Sequence, residues 1–330
     1  MKIILAPMDG LTDFYVRNLL TSIGGYDLCV TEFLRVTNSV FPRKIFYQNC
    51  PEIDPRYQLN GNTAAQVPVY MQLLGNDEDY LAANAHKATS LGVKGVDLNF
   101  GCPSNTVNRH GSGAVLLEHP EKIFRIMQAI KQAIPESVPL TAKMRLGYKD
   151  SHLALENAQA IQEAGADFLT IHARTKLDGY RPPAKWQEVG DLIEHLTIPI
   201  VINGEIWSVD DYLQCQQVSG CEDIMLGRGA FALPDLASQI KQQVQGQPIR
   251  QKNWTEIKQL LARFYQLMLE DGVISDKHIS GRLKLWIKWL SASYDEAQQL
   301  FEQIKTTREH EKISDYIYPS HLEIRDSELS

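Results

Sequence analysis

Eight short apolar runs, helix-period stretches between them, and the loss of that alternation after about residue 245 predict an α/β fold with a helical appendage. The runs cover 3–8, 27–33, 67–75, 95–100, 140–147, 168–175, 198–206 and 223–229. They are rich in Val, Ile and Leu and about 6–9 residues long, as parallel strands buried on both faces should be. Stretches 78–91, 120–133, 152–164, 186–196 and 209–218 repeat apolar residues at helical spacing. Gly92, Gly165 and Gly220 follow three of them, where helices commonly stop. Eight βα units within about 235 residues match the count and length of a TIM (β/α)8 barrel. An open doubly wound sheet is the alternative. Its G-x-G-x-x-G is missing after the first strand, where Met8-Asp9-Gly10-Leu11-Thr12-Asp13 stands instead.

The barrel domain is assigned to 1–245. Gln245-Gly246-Gln247-Pro248 reads as a linker. The domain at 250–310 is all-helical, with amphipathic helices expected over 254–270, 280–293 and 294–307. Residues 311–330 read as a polar, poorly ordered tail.

Composition narrows the function classes. The chain has 330 residues, 44% hydrophobic and 22% charged, which excludes wholesale disorder. No apolar run approaches the ~18 residues of a membrane span. The first residues make too short an apolar stretch for a secretory signal, so a soluble cytoplasmic protein is expected. Five cysteines, no C-x-x-C and no zinc spacing argue against a disulfide framework and a metal site. The net charge of −7 argues against a nucleic-acid partner, yet residues 251–290 hold seven Lys/Arg against four acids. Such a segment is either a solvated helix face or a meeting place for a polyanion.

In this barrel, chemistry belongs at the C-terminal strand ends. The ends read Ala-Pro-Met-Asp-Gly, Thr-Glu-Phe-Leu-Arg, Gln-Leu-Leu-Gly, Asn-Phe-Gly-Cys-Pro-Ser, Lys-Met-Arg-Leu-Gly, His-Ala-Arg-Thr, Asn-Gly-Glu and Gly-Arg-Gly-Ala. Polar residues gather there while the strand interiors are apolar. Gly204, Gly227 and Gly229 after the last two strands allow close backbone approach, and Arg228 adds charge. Together they predict a phosphate site. Lys143 and Gln72 can donate to the carbonyl and ring-nitrogen edge of a flavin, where a cation stabilises the reduced anion. His172 can hold a ring carbonyl or the phosphate, or be a satisfied barrel histidine. Lys143 also fits a Schiff-base lysine. Cys102, placed directly after the fourth strand, is a candidate nucleophile or acid. Gly111 and Gly113 in the loop beyond it are candidate hinges of a mobile lid. Cys29, Cys50, Cys215 and Cys221 read as inert buried thiols.

In this order, the motifs resemble those of the tRNA-dihydrouridine synthases across the whole barrel. Gly-Cys-Pro-Ser and His-Ala-Arg-Thr are the most specific. Thr-Glu-Phe-Leu-Arg-Val, Asn-Gly-Glu-Ile-Trp and Arg-Leu-Lys-Leu-Trp are most similar to the bacterial C-type. The resemblance implies reduction of the C5–C6 bond of uridine 16 in the tRNA D-loop, with FMN as cofactor and NADPH as reductant. It implies FMN contacts from Pro7, Met8, Asp9, Gln72, Lys143, His172, Asn203, Gly204, Glu205, Gly227 and Arg228. Hydride would pass from flavin N5 to C6 and a proton from Cys102 to C5, on a base flipped out of the tRNA. Asn99, Arg145 and Tyr180 match positions near the uracil. Arg35, Arg282, Lys284 and Lys305 match positions that orient the tRNA. Lys305 stands where an Arg is more familiar. No protein partner is implied, and a monomer is expected. An FMN barrel acting on a free pyrimidine would leave the basic helical segment without a role. A catalytically dead RNA-binding barrel would make Cys102 dispensable.

Overall fold

The computed structural model describes residues 1–272 and 275–318. Eight parallel strands form its first unit: β1 (Ile3–Leu5), β2 (Leu28–Val30), β3 (Val69–Leu74), β4 (Val96–Phe100), β5 (Leu140–Gly147), β6 (Phe168–Thr175), β7 (Ile200–Asn203) and β8 (Ile224–Leu226). Each strand pairs with the next in chain order. β8 pairs back onto β1 through Ile3↔Ile224 and Leu5↔Leu226, which closes the barrel and excludes the open sheet. Leu34–Arg35 extends the chain beyond β2 and pairs with Leu73 and Leu74 of β3.

The crossovers carry α1 (Phe14–Ile23), α2 (Arg43–Asn49), α3 (Glu78–Ser90), α4 (Asn105–Arg109), α5 (Pro120–Ala133), α6 (Ala154–Glu163), α7 (Trp186–Ile193) and α8 (Val209–Ser219). Asp13, Asp77 and Ser208 start α1, α3 and α8 by accepting backbone N–H groups of the first turn. One crossover is pinned by a buried ion pair. Arg17 on α1 donates to both carboxylate oxygens of Glu52 at 2.7 and 2.8 Å, and to the Thr12 carbonyl at 2.9 Å.

Strand side chains alternate between the barrel interior and the helices. At the N-terminal end the interior is an apolar floor of Ile4, Ala6, Leu28, Val30, Phe168, Val201 and Met225, with Tyr70 packed against it. The Tyr70 and Phe168 rings stack at 6.5 Å. Above this floor the same period brings in polar side chains.

The second compact unit starts at Arg228, directly after Gly227. It takes in α9 (Arg228–Ala232) and α10 (Leu236–Val244), which the sequence reading assigns to the barrel by drawing its boundary at 245. The reason lies in the packing of α12 (Asp276–Leu290), which follows α11 (Trp254–Asp271). Trp286 packs its ring on Phe231 and Phe264, and its Nε1 donates to the Phe231 carbonyl. The linker is tied down as well, since the Gln247 N–H donates to the Gln242 carbonyl at 2.9 Å. α13 (Asp295–Ile304) completes the three expected helices. A fourth, α14 (His310–Ile317), occupies the start of the expected tail. It buries Ile313 and Ile317 one turn apart, and His310 hydrogen-bonds the Tyr265 hydroxyl at 2.8 Å. The rest of that tail, 319–330, lies outside the described residues. No described helix is long and apolar enough to cross a membrane.

Candidate active site at the strand ends

The centre of the site is a run of hydrogen bonds across β3, β4 and β5. Asp97 on β4 accepts from the Thr141 hydroxyl at 2.6 Å and from Gln72 Nε2 at 2.7 Å. Gln72 Oε1 accepts from Asn99 Nδ2 at 2.8 Å, and Asn99 Oδ1 accepts from the Gly101 N–H at 2.9 Å. Burial pushes the Asp97 carboxyl up to about 6, against the two hydrogen bonds it accepts and the charge of Lys143. Lys143 on β5 donates to Asn203 Oδ1 at 3.0 Å, and Asn203 Nδ2 is held by the Met225 carbonyl at 2.8 Å. Burial, aided by the Arg145 charge and opposed by Asp97, pushes the Lys143 ammonium down to about 7.

Cys102 follows β4 and is 8% exposed. Burial pushes its thiol up, and Asp9 adds to the shift. A backbone hydrogen bond at Ser104 and the charges of Arg145 and Arg35 oppose it. The net direction keeps the thiol protonated at neutral pH. The loop beyond is folded into α4 and a short 3₁₀ turn, Gly113–Glu118. Asn108 Nδ2 donates to the carbonyls of Cys102 and Ser104, and its Oδ1 accepts from the Val115 N–H. Gly113, a candidate hinge, is closely packed. Its φ is +72°, and a Cβ there would lie 2.9 Å from the Cys102 carbonyl oxygen. All five cysteines are free thiols. Burial pushes up Cys29 and Cys50, and Cys215 and Cys221 to about 12 and 11.

At the ends of β6 and β7, His172 is buried beside Arg174, with 3.4 Å between Nε2 and Nη1. Arg174 is fully buried and pairs with Glu205. Glu205 also accepts from Trp207 Nε1 at 2.9 Å, and its backbone sits in the left-handed region at φ +63°. Gly204 has φ +117°, and a Cβ on it would meet His172 at 2.9 Å. Only glycine brings the chain this close to the imidazole.

Across the barrel, the β1–α1 turn folds on itself. The Met8 N–H donates to Thr12 Oγ1 at 2.6 Å, and the Met8 carbonyl accepts from the Leu11 and Thr12 N–H groups. Pro7 and Met8 are partly buried and Asp9 is exposed. A Cβ on Gly227 would lie 3.4 Å from the Met8 sulfur. Thus Met8, Gln72, Lys143, His172, Asn203, Gly204, Glu205 and Gly227 all lie within one barrel. Arg228 follows as the first residue of α9.

The residues expected to meet tRNA have more varied partners. Arg145 donates to the carbonyls of Gly101, Thr175 and Gly179 at 2.8–2.9 Å, and its guanidinium lies over the Tyr180 ring. It braces the Cys102 segment against the loop after β6, while Tyr180 is 55% exposed. Asn99 belongs to the hydrogen-bond run above, and Arg35 lies near enough to act on the Cys102 thiol. In the second unit, Arg282 lies over the Phe264 ring, Lys284 donates to the Thr307 carbonyl at 2.9 Å, and Lys305 pairs with Glu302. No cluster of three or more metal-ligating side chains occurs among the described residues.

Sequence reasoning does not single out Asp97 or Arg174. The signal for Asp97 is nonetheless present: in Val96-Asp97-Leu98-Asn99-Phe100 the period of two sends the acid inward with Asn99.

The family profile described as Dihydrouridine synthase (Dus) matches residues 4–319. The tRNA-dihydrouridine(16) synthase of Shewanella oneidensis is 46% identical over 313 residues, covering 95% of this chain and 96% of that protein. The enzymes of that name from Neisseria meningitidis serogroup A and Haemophilus influenzae are 45% and 42% identical. Those matches cover 94% and 95% of this chain, and 92% and 98% of the relatives. Among solved structures, the chain resembles a 2-naphthoyl-CoA reductase complex with a TM-score of 0.56. That likeness covers 75% of this chain and 50% of the other, and at 12% identity it speaks for the fold alone. On the profile match and these identities, the chain belongs to the dihydrouridine synthase family.

Proposed function

We propose that this protein reduces uridine 16 of tRNA to dihydrouridine, with FMN as cofactor and NADPH as reductant, acting as a cytoplasmic monomer. The position of the uridine follows the curated relatives, which are named tRNA-dihydrouridine(16) synthases. The residues at the strand ends fit a phosphorylated flavin. Lys143 and Gln72 supply donors from the strands on either side of β4, and a Cβ would obstruct the backbone turn at Gly204 next to His172. Pro7, Met8, Asp9, Asn203, Glu205, Gly227 and Arg228 would complete the FMN contacts. When bound and reduced, FMN supplies the hydride to C6 of the uracil.

The observation that carries the reading is the place of Cys102, just after β4 and packed against Gly113. A thiol held protonated by burial, at the end of the strand next to the one bearing Lys143, is suited to deliver a proton to C5. Lys143 would place a cation beside the reduced ring. Its pull toward neutrality is relieved when an anion arrives to pair with it. Arg145 holds the Cys102 segment in place through the Gly101 carbonyl, and Tyr180 offers an exposed ring on which a base can stack. Asn99 and Arg35 would meet the RNA on the barrel; Arg282, Lys284 and Lys305 would meet its phosphates in the helical unit.

The test begins with the visible spectrum of the purified protein and the mass of any flavin released on denaturation. FMN is expected. A colourless protein that takes up no added FMN would remove the assignment. With FMN bound, Cys102→Ala should still oxidise NADPH but form dihydrouridine on unmodified tRNA at least about a hundredfold more slowly. An unchanged yield would end the role of Cys102.

A further inference from the structure

We propose that Asp97 is a positioning residue: through the side-chain amides of Gln72 and Asn99 it sets the direction of a hydrogen-bond relay that ends on the Gly101 N–H, next to Cys102. The proposal rests on the reading of Gln72 and Cys102 given above.

The oxygen and nitrogen of an amide side chain have nearly the same shape, so partners decide which way it faces. Here both ends of the relay are fixed. The Gly101 N–H can only donate, so Asn99 turns Oδ1 toward it and Nδ2 toward Gln72. Gln72 must then turn Oε1 toward Asn99 and Nε2 toward residue 97, which must accept. The Asp97 carboxylate does so with one oxygen and takes the Thr141 hydroxyl on the other. Gln72 is fully buried and Asp97 is 1% exposed, so water does not substitute for a lost link. Each link satisfies the next in one direction only. One amide proton of Gln72 is committed to Asp97 and its carbonyl to Asn99, so on the reading above the second amide proton is the one group it has left to offer a flavin. The same carboxylate favours the charged form of Lys143.

The relay can be turned round without changing its composition. In Asn99→Asp, residue 99 loses its donor. Gln72 then faces an acceptor on both sides, and whichever way its amide turns, one acceptor meets its carbonyl. In the double variant Asp97→Asn/Asn99→Asp, every link is restored with Gln72 reversed. The new carboxylate at position 99 accepts from both the Gly101 N–H and Gln72 Nε2. The new amide at position 97 donates to Gln72 Oε1, and the Thr141 hydroxyl still finds an acceptor there. Asp97→Asn alone keeps the original direction, because the Thr141 hydroxyl can accept as well as donate.

The experiment measures thermal midpoints and FMN dissociation constants, the latter by flavin fluorescence quenching, for the wild type and these three variants of the full chain. Asn99→Asp is expected to lower the midpoint, Asp97→Asn to leave it near wild type, and the double variant to recover most of the loss. The recovered protein should bind FMN at least about tenfold more weakly, because Gln72 presents the wrong group. A double variant as unstable as Asn99→Asp would overturn the relay. A recovered double variant with wild-type FMN affinity would overturn the claim that its direction serves the site. If the wild type binds no FMN, the functional reading fails while the thermal cycle still decides the relay.

Discussion

Burial drives two titrating groups of the site toward their neutral forms, one from each side of the pH scale. The lysine at 143 loses its proton more easily and the thiol at 102 holds its proton more firmly. The unfolded chain keeps the Lys143 proton up to about 10.5, the folded apoprotein only up to about 7. Between those values the unfolded state binds the extra proton, so this group makes the apoprotein more stable as pH rises from about 7 toward about 10. Lys143→Met keeps the stem and removes the charge. Urea midpoints should therefore rise more in wild type than in the variant between about pH 7 and about pH 9, and equal rises would contradict the burial assigned to Lys143. Cys102 should react with iodoacetamide at about pH 8 more slowly than a free cysteine, with a rate that climbs at higher pH than usual. Both residues are legible in the sequence, Lys143 as a cation inside a largely apolar strand and Cys102 just after another. Asp97 is not. Its work depends on the register that sets Gln72 opposite Asp97 and Asn99 opposite Lys143, and that register exists only in the folded sheet.

Among the elements, the segment after β4 has a glycine that packing requires. Two glycines in Gly111-Ser112-Gly113 suggest mobility, yet the second is required because the chain passes against Cys102 in a left-handed turn. Gly113→Ala should cost about 1–2 kcal/mol from the backbone conformation alone. It should also displace Cys102, so dihydrouridine formation falls further than FMN binding. A variant with normal yield would mean the contact with Cys102 is slack. The α1 crossover depends on Arg17. Removing its charge in Arg17→Met strands the Glu52 carboxylate in a dry site, a loss of roughly 3–5 kcal/mol. Replacing both residues by apolar ones should recover much of it, which a double-mutant cycle on thermal or urea unfolding would show. Eight strands and five of the barrel helices can be placed from periodicity and capping glycines. α14 escapes such a reading because its polar composition hides the two isoleucines one turn apart that hold it down.

For the molecule as a whole, the strand–helix alternation reveals the barrel because each βα unit repeats the same pattern. The start of the second unit is less visible. α10 has the amphipathic character of a barrel helix, and the packing of Trp286 on Phe231 shows where α9 belongs. The apolar floor of the barrel has a kinetic consequence. Ile4, Leu28, Val30, Phe168, Val201 and Met225 pack the N-terminal end with apolar side chains, so the polar groups around Lys143 and Cys102 lie toward the strand-end side. On the proposed function, a dinucleotide reductant and a folded RNA that both approach from that side compete for it. They must take turns, and each partner becomes an inhibitor of the other when in excess. Initial rates plotted reciprocally against NADPH at several fixed tRNA concentrations should give parallel lines, with substrate inhibition at the high end. Intersecting lines would mean that the barrel admits both at once.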